Sequence, residues 1–131
     1  MTEIEEREQI RDLYVRYALS IDADRREDWV ACFTEDGVFE SKRLGRHAGS
    51  EGLTAFTRLY KEYQAGAQVR HVVSNISMQL EGDRATGTCY LTYYHSKNGK
   101  SELAAVGGYN DRLRKVDGKW LFEYRKVFVD A

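Results

Sequence analysis

At Gln68 the period of the chain changes, and that change limits the fold more than any other feature. Before it, apolar residues recur every three or four positions, as on one face of a helix. After it, four segments rich in Val, Thr, Tyr and Phe follow one another, at 68–80, 84–97, 101–116 and 119–130. Only tight turns separate them. Glu81-Gly82-Asp83 is the first; Asn98-Gly99 and Asp117-Gly118 mark hairpins, because two-residue turns with both central residues at positive φ favour Asn, Asp and Gly. Helices followed by a four-strand antiparallel meander leave a long curved sheet whose concave face only the N-terminal helices can cover. The order predicts an α+β fold: a cone-shaped antiparallel or mixed sheet with three N-terminal helices enclosing one pocket. A ligand would sit in that conical space. A chain of 131 residues makes one domain, 1–131.

The helices are expected at 3–22, 25–34 and 50–64. Thr2 with Glu5 fits a capping box at the first. Ile10, Leu13, Tyr14, Tyr17, Ala18 and Ile21 form its apolar face. The second begins near Asp24 and carries Trp29 and Phe33 one turn apart. Glu35-Asp36-Gly37 reads as a turn before a short strand at Val38-Phe39-Glu40, and Gly45 to Gly49 reads as a loop. Ser50 is the expected cap of the third helix, which carries Leu53, Phe56, Tyr60 and Tyr63.

Charge and cysteine usage exclude several function classes. The net charge is −1 and the charges are interspersed, so no basic face offers itself to nucleic acid. No stretch approaches the roughly 20 apolar residues of a membrane helix. The acidic start, Met1 to Glu6, lacks an apolar signal region, which makes the cytoplasm the expected compartment. Cys32 and Cys89 have no CxxC spacing and read as buried free thiols. Three scattered histidines offer no metal-ligand pattern, and no glycine-rich phosphate loop follows a strand. Neither a metal nor a nucleotide cofactor is expected. Nine tyrosines suit a partly polar cavity, since each joins an apolar ring to a polar tip.

Few residues stand out as chemistry. Asp22 lies two turns after Tyr14, in the row Tyr14-Ala18-Asp22, and borders the apolar face. It also ends the helix, where the dipole disfavours an anion. An acid there needs a partner; a solvated helix-end carboxylate is the alternative. His71 opens the first long strand. Alternation puts Val69, His71, Val73 and Asn75 on one face, but both faces are mixed, so which is inside stays open. His95 could reach the same mouth from the next strand, and His47, in a glycine-rich loop, is expected to be exposed.

The chain resembles SnoaL-like members of the nuclear transport factor 2-like superfamily, over essentially its whole length. The resemblance is carried by Ile10 to Tyr14, by Ile21-Asp22, by Trp29 to Val38, by Arg70 to Asn75, and by Gly108 to Arg112 with Asp117-Gly118-Lys119-Trp120. It implies a cystatin-like α+β barrel. Within the superfamily, the spacing is most similar to the branch that holds scytalone dehydratase, bile acid 7-alpha-dehydratase and hexachlorocyclohexane dehydrochlorinase. The resemblance to that branch implies a dyad of Asp22 and His71, with His71 as base and Asp22 as its orienting acid. Asn75 matches the dehydrochlorinase pattern, and Tyr17 matches a tyrosine of the bile acid enzyme. Tyr14 or Tyr17 would stabilise developing charge or help a leaving group depart. Asp24 is the alternative acid. The implied activity is a cofactor-independent lyase or isomerase acting on a mid-sized, largely apolar ring compound. Tyr14, Trp29, Phe33, Phe39, Phe56, Asn75, His95 and Tyr109 are the candidate substrate contacts, and at least two of Tyr14, Tyr17, Trp29 and Phe33 should touch the cavity.

Gly107-Gly108-Tyr109 lacks the Ser and Asn pair that scytalone dehydratase carries on a comparable strand, which argues against that substrate. One rival is a non-catalytic module akin to the small subunits of ring-hydroxylating dioxygenases. Another is a polyketide cyclase or epoxide hydrolase, for which Glu40 and Asp111 would be the acids. The outer sheet face, with Val72, Ile76, Tyr90, Tyr94 and Val127, reads as too apolar for solvent; a homodimer is expected, with a trimer as the alternative.

Overall fold

A computed structural model describes residues 1–131. Its elements are α1 (Glu3–Asp22), α2 (Arg26–Val30), β1 (Phe33–Ser41), β2 (Gly45–Ala48), α3 (Gly49–Gln64), β3 (Gln68–Glu81), β4 (Arg84–Lys97), β5 (Lys100–Val116) and β6 (Lys119–Val129). The strands form one curled, open, six-stranded sheet in the order β2-β1-β6-β5-β4-β3. All neighbours are antiparallel except β1 and β6, which run parallel and make the sheet mixed. The expected α+β cone and its four-strand meander are both present.

Local chemistry explains much of this. The Thr2 hydroxyl accepts from the Glu5 amide at 3.1 Å, closing the capping box of α1. Its six apolar-face residues are all buried. At the two hairpins Asn98 and Gly99 have φ of 53° and 75°, and Asp117 and Gly118 have 51° and 78°, the left-handed pair that such turns require. α1 packs on β3 and β6, and α3 on β1, so the helices cover the concave face.

The structure departs from the sequence reading where strand pairing overrides local pattern. α2 stops at Val30 instead of 34, and Phe33 opens β1, because it pairs with Phe122 of β6 and the Phe122 amide donates to the Cys32 carbonyl at 2.9 Å. The expected turn at Glu35 to Gly37 is an irregularity inside β1. A Cβ at Gly37 would meet the Phe33 Cβ at 2.8 Å and the Thr34 carbonyl at 2.9 Å, so the kink admits only glycine. Gly45–Ala48 is β2, not a loop, and α3 starts at Gly49 without a side-chain cap, so Ser50 does not cap it. α2 begins at Arg26, with its capping position on Arg25, and Asp24 before it has φ 57°.

Two further irregularities reset the inside–outside alternation. In β3 the register shifts between Ser74 and Ser77, where Asn75 has φ 54°. Val69 is fully buried before the shift, and Met78, of opposite parity, is buried after it. In β6, Trp120 and Phe122 are buried on even positions, but across a second shift the fully buried residue is Arg125. Of the residues expected on the outer face, Val72, Tyr90 and Tyr94 are exposed, whereas Ile76 and Val127 pack partly against the core. No helix is long and apolar enough to cross a membrane.

Candidate active site

Asp22 is the last residue of α1, and its carboxylate is fully engaged by one residue of β3. Its Oδ1 lies 2.6 Å from His71 Nδ1, and its Oδ2 accepts the His71 backbone N–H at 2.9 Å. The Gln68 side-chain amide donates to the Asp22 backbone carbonyl at 3.0 Å, tying the helix end to the same strand. The two side chains are only 8% and 10% exposed, so the pair is shielded from bulk water. Because a carboxylate only accepts, Nδ1 carries the proton, and in neutral His71 the unshared lone pair is on Nε2. The partner that a helix-end acid on the apolar face requires is thus His71. Asp24 is elsewhere, exposed and ion-paired to Arg26 at 3.1 Å and Lys61 at 3.7 Å.

His71 borders a cavity of about 560 Å³, walled mainly by apolar side chains. Tyr17, Phe39, Phe56 and Tyr109 also line it. Tyr14, Trp29 and Phe33 do not, so of Tyr14, Tyr17, Trp29 and Phe33 one reaches the cavity where at least two were expected. Tyr14 turns instead to Asp111, donating to its Oδ2 at 2.5 Å. Trp29 is fully buried behind the wall, with ring centroids 5.0 Å from Phe33, 5.9 Å from Phe39 and 5.5 Å from Phe56. Phe33 is held away by its pairing in β1.

The remaining candidates also move. Asn75 sits exposed at the bulge in β3, outside the cavity, because the extra residue there breaks the alternation it would share with His71. His95 does not line the cavity; its ring packs edge-on against Tyr93 with centroids 5.0 Å apart, and its Nε2 is buried without a partner. His47 is half-buried in β2 rather than exposed in a loop; its Nε2 is 2.7 Å from the Leu44 carbonyl and its ring lies 4.8 Å from Phe56. Glu40 is at the cavity rim and is shared between Arg46 and Lys126, each at 3.8 Å.

Two features escaped the sequence reading. Behind the cavity, Arg125 is fully buried, its Nε donating to Asp111 Oδ1 at 3.0 Å. Its Cζ stacks 3.6 Å from the centre of the Tyr109 ring and 4.2 Å from that of Tyr17, the two rings that also face the cavity. Burial pushes the Asp111 carboxyl up, opposed by the adjacent guanidinium and the Tyr14 hydroxyl. Asp111 shares the parity of buried Tyr109 and Leu113, a signal that was available; the shift in β6 hides Arg125. The second feature is the hydroxyl-to-hydroxyl hydrogen bond of Tyr60 in α3 with Tyr93 in β4, both rings lining the cavity. Tyr93 is His71's cross-strand neighbour, with ring centroids 4.7 Å apart. Burial pushes the Tyr93 hydroxyl up to about 12 and that of Tyr60 higher. No group of three or more His, Cys, Asp or Glu side chains is placed to hold a metal ion.

These features sit on a scaffold whose family is defined. The SnoaL-like domain family matches residues 2–126, and the chain belongs to it. It is similar to the small oxygenase component of the p-cumate 2,3-dioxygenase system of Pseudomonas putida, at 29% identity over 145 residues, 95% of this chain and 79% of that protein. A solved Mycobacterium tuberculosis protein of unknown function superimposes with a TM-score of 0.88 at 29% identity, over 99% of this chain and 77% of its own. An NTF2-like protein with a cystatin-like fold from Novosphingobium aromaticivorans gives a TM-score of 0.88 at 21% identity, covering 96% and 82%, a likeness of fold alone.

Proposed function

We propose that this chain is a cofactor-independent lyase or isomerase that removes a carbon-bound proton from a mid-sized, largely apolar, ring-containing substrate. The observation that carries the reading is the buried Asp22–His71 contact at 2.6 Å, on the wall of an apolar cavity. His71 Nε2 takes the proton. Asp22 holds the ring in the tautomer that leaves Nε2 free, and its charge stabilises the imidazolium that forms. Tyr17, which also lines the cavity, would help a leaving group depart. The apolar walls suit a ring system and keep bulk water from the base.

The test is exchange of the activated C–H protons of 2-tetralone in D2O, followed by proton NMR. His71→Ala should slow enzyme-dependent exchange by about 10²- to 10⁴-fold, the usual contribution of a general base. Asp22→Asn should slow it by at least tenfold with the fold intact. Wild-type exchange no faster than buffer, or unaltered by His71→Ala, contradicts the reading.

A second reading, a non-catalytic assembly module, is favoured by the similarity to the p-cumate dioxygenase small component and by the exposed Val72, Tyr90 and Val106 on the outer sheet face. The same face fits the homodimer proposed from the sequence. Light scattering that gives twice the monomer mass, beside undiminished exchange activity, separates a dimeric enzyme from a subunit that works only with another chain. The cyclase or epoxide hydrolase reading loses Asp111, which is committed to Arg125 and Tyr14.

A further inference from the structure

The cavity wall beside His71 holds a hydrogen-bond donor that the dyad does not use. Tyr60 and Tyr93 are 6% and 9% exposed, and their hydroxyls bond to each other. Each hydroxyl has one proton to give. The mutual bond consumes one of the two, whichever residue supplies it. The other proton remains, and neither hydroxyl has a further protein partner. Both rings line the cavity, so the cavity is where an acceptor for that proton can come from.

The position of the pair decides what it can recognise. Tyr93 and His71 are directly paired across β3 and β4, their ring centroids 4.7 Å apart; Tyr60 stands 6.2 Å from His71 on the helix side. One wall thus presents a base and a neutral donor side by side. A substrate that satisfies both has a hydrogen-bond acceptor next to an acidic C–H. A carbonyl compound fits: its oxygen meets the tyrosine pair while the C–H one bond from the carbonyl carbon meets Nε2. A bare hydrocarbon ring fills the apolar volume and leaves the donor unused.

Resting on the proton-abstraction reading above, we infer that the Tyr60–Tyr93 pair is the oxyanion donor of this site and that the substrate is a ring-bearing ketone or similar carbonyl compound. The step balances without an added reagent. The C–H electron pair becomes the new C=C bond, the carbonyl π pair moves to oxygen, and the proton goes to His71 Nε2. The tyrosine proton stays on its own oxygen and strengthens its hydrogen bond as the substrate oxygen gains charge. That bond is stronger in the transition state than in the ground state, which is the condition for accelerating the step. The enolate then regains the proton at another carbon or expels a group at the β position. Tyr93, nearer the base, touches the substrate oxygen; Tyr60 is a positioning residue that polarises the Tyr93 hydroxyl through their mutual bond.

The experiment compares 2-acetylnaphthalene with 2-isopropenylnaphthalene, which has the same shape but carries CH2 in place of the oxygen. Affinities are measured by calorimetry and the bound carbonyl stretch by infrared difference spectroscopy. Wild-type protein should bind the ketone about tenfold more tightly than the alkene and lower its carbonyl frequency. Tyr60→Phe with Tyr93→Phe, together, should bring the affinity ratio near one and abolish the frequency shift. Tyr93→Phe alone should lose most of both, and Tyr60→Phe alone a smaller part. Thermal melting of each variant checks that the fold is retained, and the alkene affinity reports packing that has nothing to do with the donor. His71→Ala should leave the frequency shift in place. An undiminished shift and ratio in the double variant overturns the inference, as does failure of the wild type to bind either ligand. Loss of the shift in the double variant supports the donor even if the wild type exchanges no methyl protons of the ketone, and in that case it is the base reading that falls.

Discussion

The molecule buries two aspartates against two nitrogenous partners, and the two sites differ in what is left over. At Asp111 both carboxylate oxygens are taken, by Arg125 and by Tyr14, and Arg125 is caged by Tyr109, Tyr17 and Phe122. A guanidinium cannot give up its charge near neutrality, so the pair is a permanent strut. At Asp22 both oxygens are also taken, but by the ring and backbone of one histidine, whose second nitrogen remains uncommitted beside a cavity. Burial of an acid therefore does not by itself mark chemistry. The proposed chemistry rests on a partner whose second ring nitrogen has no protein partner beside the cavity.

Breaking each pair would expose the difference. Asp111→Ala leaves a buried guanidinium without its counter-charge, and it should cost about 3–5 kcal/mol, read as a fall of roughly 10–20 °C in Tm. His71→Ala, which leaves Asp22 its backbone amide, should cost only about 1–2 kcal/mol by the same melting measurement. Equal losses at the two sites would erase the contrast between strut and machinery.

A smaller effect tests how β3 aims His71. Asn75 occupies the left-handed region at the bulge that separates the His71 half of the strand from the Met78 half. Asn75→Ala should cost about 1 kcal/mol in a denaturant titration, and Asn75→Gly should cost less, since glycine adopts that backbone without strain. A larger loss for the glycine variant would mean that the Asn side chain, not the backbone turn, holds the bulge.

The parts of this arrangement that local chemistry dictates were readable in the sequence. The capping box at Thr2, the hairpins at Asn98-Gly99 and Asp117-Gly118, and the apolar row that ends at Asp22 each depend on residues within a few positions. The Asp22–His71 juxtaposition spans 49 residues and came from family resemblance, with only the misplaced helix-end acid as a local hint. What stayed hidden depends on the partner strand. The shift in β3 removes Asn75 from the face of His71, the shift in β6 brings Arg125 inside, and pairing with β6 draws Phe33 out of a helix. None of these leaves a mark in the alternation of one strand read alone. The Tyr60–Tyr93 bond joins a helix to a strand 33 residues later, and nine similar tyrosines gave no reason to choose those two.

In the proposed mechanism Asp22 fixes the His71 ring with its proton on Nδ1 and leaves Nε2 as the base. Nitrogen-15 NMR of the histidine side chains at neutral to mildly alkaline pH reads this directly. A protonated, pyrrole-type Nδ1 and an unprotonated, pyridine-type Nε2 are expected for His71 in the wild type, with loss of that tautomer preference in Asp22→Asn. A His71 ring whose neutral form carries its proton on Nε2, or whose tautomer is unchanged by Asp22→Asn, would contradict it.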